Sequence, residues 1–112
     1  MRILELRHPG WSSGPVGEAI GFRGRLRGIH GVPEGFGVLL PVRSVHGFGL
    51  DRAIRAVALG AGREVLMVTE LAPGGVVTVR GGRWMLELPL QRVPPEVGRR
   101  LTVSTLAWWP EP

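Results

Sequence analysis

The sequence predicts an all-β chain: one compact domain of two packed sheets, sandwich or barrel-like, with a single short helix. Three observations lead there. Eighteen Gly and ten Pro divide 112 residues into short pieces, which favours many strands over few helices. The apolar runs between these breaks recur at the spacing of strands joined by turns, the pattern of a sandwich or barrel. Only one stretch carries a helical period.

Taken in order, Arg2 to Arg7 is a strand, with Ile3 on one face and Leu4 and Leu6 on the other. His8 to Pro15 is a loop by composition. Ala19, Phe22, Leu26 and Ile29 then recur at three- and four-residue spacing, one helical face. Gly21, Gly24 and Gly28 weaken that helix, each by about 1 kcal/mol relative to Ala, so it depends on packing. After Pro33-Glu34-Gly35 the chain reads as strands: Phe36 to Leu40, Arg43 to Leu50, and Ala53 to Leu59. Gly60-Ala61-Gly62 turns into Arg63 to Leu71, Pro73-Gly74-Gly75 leads into Val76 to Arg80, and Gly81-Gly82 into Arg83 to Leu88. Pro94-Pro95-Glu96 precedes a last strand, Arg99 to Leu106. Residues 107–112 form an apolar tail whose Trp108 and Trp109 either cover the body or anchor an interface.

Composition narrows the chemistry. Without Cys there are no disulfides, thiolate metal sites or Cys nucleophiles. All fourteen positive residues are Arg, Asn is absent and Gln91 is the one Gln. Missing Lys argues for a GC-rich genome first and a thermophile second, since thermophiles favour Lys. The net charge of +5 is spread from Arg2 to Arg100, so nucleic-acid binding is disfavoured. Met1 to Arg7 contains no signal-peptide core, and no apolar run approaches the ~20 residues of a membrane span. A cytoplasmic domain that needs no membrane is expected.

Several stretches resemble one family in sequence order. They are Arg25-Leu26-Arg27-Gly28, Gly35-Phe36-Gly37-Val38-Leu39-Leu40, Ser44-Val45-His46-Gly47-Phe48-Gly49-Leu50, Ala53-Ile54-Arg55-Ala56-Val57 and Gly82-Arg83-Trp84-Met85-Leu86-Glu87-Leu88-Pro89. The chain is identified by these as resembling the domain of unknown function 192 family over roughly residues 1–105. That resemblance implies a compact β domain with two sheets and a short helix, and no reaction. Where the family has Thr, Met and Asp, this chain has Gly47, Leu50 and Arg55. Any role of that Asp as base or metal ligand is lost, because a guanidinium accepts no proton and binds no cation.

Ser44 and His46 share one strand face, but alternate residues lie ~6.6–7 Å apart at Cα, too far for a nucleophile–base pair. No catalytic residue is therefore assigned. His8, His30 and His46 fit no metal template, so neither metal nor cofactor is expected, and His8 reads as a solvated loop residue. Arg23 and Arg27 share a helix face as solvated charges. The best candidate site comes from pairing Arg43–Leu50 with Ala53–Leu59 in a hairpin around Asp51-Arg52. With Leu50 opposite Ala53, Ser44, His46, Phe48 and Arg55 share one face, Arg55 stacking on Phe48. The function expected is a ligand-binding or interaction module, its partner an unknown small ligand, another protein or a second copy. The alternative is an enzyme acting on a small polar or anionic ligand at Ser44, His46 and Arg55, and whether the chain is an enzyme stays open. Weak nucleic-acid binding comes third.

Overall fold

The computed structural model describes residues 1–19 and 28–110. Its elements are β1 (Arg2–His8), β2 (Trp11–Ser12), β3 (Val16–Glu18), a 3₁₀ turn (Gly28–Gly31), β4 (Gly37–Leu40), β5 (Ser44–His46), β6 (Ile54–Leu59), β7 (Val65–Leu71), β8 (Val76–Thr78), β9 (Trp84–Leu88) and β10 (Thr102–Trp108). The all-β prediction is met. Most of the expected helix, with Phe22, Leu26 and the three arginines at 23, 25 and 27, lies outside the described residues.

One sheet runs β10-β1-β3-β4-β9-β6-β7, with β2 also on β1, and a separate ribbon pairs β5 with β8. Every pairing is antiparallel except β3 with β4. The large sheet curls until its ends meet. Val65 donates its N–H to Arg99 O at 2.8 Å, Gly98 to Val65 O at 2.8 Å, and Leu101 to Arg63 O at 3.0 Å. This seam closes the curl into a barrel between the segments that enter β7 and β10.

Alternation decides which side chains face inward. Leu4 and Leu6, Val16, Leu39, Val57 and Leu59, Leu86 and Leu88, and Leu101 form the interior core. On the outer face, Ile54, Ala56, Ala58 and Met85 are covered by Val45 from the ribbon. Val38 and Leu40 lie under Ile29 and Val32, at and beside the 3₁₀ turn.

The barrel end at the start of β6 is plugged. Arg55, inward-facing, donates Nη2 to Leu90 O at 2.8 Å and Nε to Arg92 O at 3.2 Å. Arg92 donates in turn to Ser13 O and to Gly35 O. Trp11 Nε1 donates to Val93 O at 2.7 Å, and the Glu96 N–H to His8 Nε2 at 3.2 Å. The loop after β9 is thus stapled across the opening.

Four expectations are corrected. Residues 8–15 are not a plain loop: β1 turns through Gly10, at φ +85°, into β2, and β3 follows. The strand expected to reach Leu50 stops at His46, because Gly47 to Leu50 is a turn. In it Leu50 donates to Gly47 O at 3.1 Å, and Gly49 has φ +83°. The hairpin of Arg43–Leu50 with Ala53–Leu59 is absent, since β5 pairs with β8 and β6 lies between β7 and β9. Finally, the last strand, expected to end at Leu106, runs to Trp108, which pairs with Arg2.

Replacing Arg55 with Met should strip the donors from the Leu90 and Arg92 carbonyls and destabilise the protein by roughly 2 kcal/mol in urea denaturation. Ser44→Ala, at an exposed ribbon position, should change stability by less than about 0.5 kcal/mol.

Candidate functional site

The four residues expected to form one site do not meet. Ser44, His46 and Phe48 stand on the solvent side of the ribbon. Ser44 Oγ lies 2.8 Å from Thr78 Oγ1, and Phe48 donates its N–H to His46 Nδ1 at 3.2 Å. The His46 and Phe48 rings meet edge-on at 6.4 Å, and Phe48 is 84% exposed. Arg55 belongs to the interior face of β6, so a sheet and a core layer separate it from His46. The guanidinium expected to bind an anion is spent on carbonyls of the plug.

Other sequence readings change similarly. His8, expected in solvent, is buried and stacked on Trp11 at 5.6 Å. Its Nδ1 faces Pro9 O at 2.9 Å and its Nε2 accepts from Glu96, which fixes the Nδ1–H form. Trp109 rests edge-on against Phe36 at 6.2 Å, whereas Trp108 is 73% exposed. Among the described residues, no three His, Asp or Glu side chains converge as metal ligands, and no helix is long and apolar enough to cross a membrane.

The residues that do converge are those at the open end of the barrel. The inward columns of β1, β3, β6, β9 and β10 end there in Arg2, Glu18, Leu59, Trp84 and Thr105. With Leu4, Leu39, Val103 and Arg63 they line a cavity of about 280 Å³. Arg2 binds both Glu18 oxygens, Nε to Oε1 at 3.1 Å and Nη2 to Oε2 at 2.6 Å. Hydrogen bonding to the Glu18 carboxylate raises the Arg2 pKa above its ordinary value, so Arg2 stays charged. Arg63 stands in the left-handed region at φ 63°, a conformation that costs a non-Gly residue about 1–2 kcal/mol. The seam holds it there, and its Nε donates to Leu101 O at 3.2 Å. The cavity floor is fully buried Leu4 and Leu59 with Leu39 beside them.

Sequence reasoning missed this site because its residues lie on seven separate segments. A signal existed for Arg63 alone: the Gly60-Ala61-Gly62 turn makes a left-handed residue beside it plausible. A second missed residue is Glu87, 5% exposed on the outer face of β9 between Val38 and Ala56. Burial raises its pKa to about 7, against the lowering effect of the Ile29 N–H it accepts.

No protein-family model, curated protein or solved structure matches the chain.

The folded Glu87 binds its proton more tightly than the unfolded chain, whose value is 4.5. Its contribution to stability is therefore complete below pH ~4.5, falls as pH rises toward 7, and is flat above. Urea denaturation of the parent and Glu87→Gln at pH 5 and pH 8 should show the parent losing up to about 3 kcal/mol relative to the variant.

Proposed function

We propose that this protein is a non-catalytic binding domain that takes a small molecule into the open end of its barrel. The observation that carries this is asymmetry: one end is stapled shut, while the other holds a cavity with an apolar floor and a charged rim. Concave sites of this make-up, in the mouths of β-barrels, are a recurrent place for ligands. The cavity offers Arg63 and Trp84 as binding groups but no nucleophile–base pair, which supports binding over reaction. Membership of the domain of unknown function 192 family belongs to the same proposal. It rests on the stretches quoted above and supplies no activity. The Gly47 position, Thr in that family, admits no larger residue unaided, because a Cβ there would collide with the Ala72 carbonyl.

A small-molecule fragment screen by ¹H–¹⁵N NMR tests the reading. Hits should move the Trp84 indole and the Arg63, Val103 and Thr105 amides, and Thr105→Trp should abolish those shifts by filling the mouth. Hits confined to the ribbon around His46 would contradict it.

A second reading, self-association, is favoured by β10. Beyond the seam, β10 pairs only with β1 among the described residues; its seven residues carry no charge and expose Leu106 and Trp108, the kind of edge that proteins otherwise protect. Light scattering should then show a dimer that Leu106→Lys converts to monomer. A monomeric parent at ~100 μM, well above a micromolar Kd, would remove this reading.

A further inference from the structure

We propose that the barrel mouth is specific for a small organic monoanion: a carboxylate on a flat apolar body, the carboxylate on Arg63 and the body against Trp84. This inference rests on the reading of the mouth as a ligand site.

The hydrogen-bonding inventory of the cavity selects the ligand's charge. Among the described residues Glu18 is the cavity's one carboxylate, and each of its oxygens accepts from Arg2. Arg63 uses Nε on Leu101 O, and its terminal nitrogens have no acceptor among the described residues. A guanidinium and an indole can only donate, and the Trp84 Nε1–H likewise has no acceptor there. The Thr105 hydroxyl, also without a partner among the described residues, can donate or accept. The groups left unmet are therefore mainly donors, those of Arg63 and Trp84, and a ligand that brings acceptors satisfies them. Glu18 neutralises Arg2, so the cavity keeps the single positive charge of Arg63, matched by a monoanion. The paired terminal N–H groups of a guanidinium fit the two oxygens of a carboxylate.

The floor selects the rest of the ligand. Leu4, Leu39, Leu59 and Val103 offer nothing to a hydrated ion, which would lose water without compensation against them. An apolar body gains from the same surface, and the flat Trp84 ring favours a planar one. About 280 Å³ is near the lower limit for ligand cavities, which suits one ring rather than a dinucleotide.

The test titrates the ¹⁵N-labelled full chain with benzoate, benzamide, benzamidinium, acetate and inorganic phosphate, following the Trp84 indole peak assigned through Trp84→Phe. Benzoate should bind at least tenfold more tightly than each of the other four. The variant Arg63→Gly suits the left-handed backbone and so preserves the seam. It should weaken benzoate at least tenfold, to the affinity of benzamide, and so remove the preference for the charged compound. Benzamide or benzamidinium equalling benzoate at the Trp84 peak would overturn the anionic class while leaving the mouth as a ligand site. Phosphate or acetate equalling benzoate would overturn the apolar body. Five compounds that all leave the Trp84 peak unmoved would overturn this proposal, and a fragment screen that also leaves it unmoved would overturn the mouth reading itself.

Discussion

The structure depends on the seam between residues 63–65 and 98–101. Without it the large sheet would be an open ribbon with β7 and β10 as distant edges, and its apolar face would lack an opposite wall. The three backbone hydrogen bonds of the seam turn one face of the large sheet into an interior. The isolated bridge of Glu64 with Arg100 lies within the same stretch. They also impose the strained backbone of Arg63. Strain of this size persists where surrounding structure over-determines it, and it clusters at functional positions. Here one constraint both closes the barrel and delivers a guanidinium to its mouth.

The two ends then diverge through what their arginines find. Arg55 finds the Leu90 and Arg92 carbonyls, Arg92 finds those of Ser13 and Gly35, and both are consumed as staples. Arg2 finds a carboxylate and is neutralised. Arg63 finds a single carbonyl and keeps most of its donors. In a chain whose positive residues are all Arg, net charge therefore says little about function. The role of each arginine follows from the acceptors that the fold places within its reach.

Much of the fold was legible. The strands β1, β4, β6, β7 and β9 fall within two residues of the predicted bounds, since each is an apolar run ended by Gly, Pro or a charged turn. Partner choice was not legible. Sequence neighbours often pair, which favoured a hairpin of β5 with β6; Gly49 at positive φ instead ends that strand and turns the chain away. The Gly47 backbone then packs on the segment from Ala72 to Gly75, giving its N–H to Gly75 O and accepting from the Gly74 N–H. That contact aligns β5 with β8 and removes His46 from Arg55. The mouth was illegible for a related reason: period-two alternation puts Arg2, Glu18, Trp84 and Thr105 on inward faces, but only closure brings those faces together. Glu87 could have been found, as a lone acid between Leu86 and Leu88 in an otherwise apolar strand.

Amide hydrogen exchange at Val65, Gly98 and Leu101 tests the closed barrel most directly. If the seam closes the sheet, these three amides exchange as slowly as those of the central strands β6 and β9, through global unfolding alone. Exchange at the rate of the outward-facing amides of β10 would mean that the sheet is open there. Arg63 would then have no fixed place at the mouth.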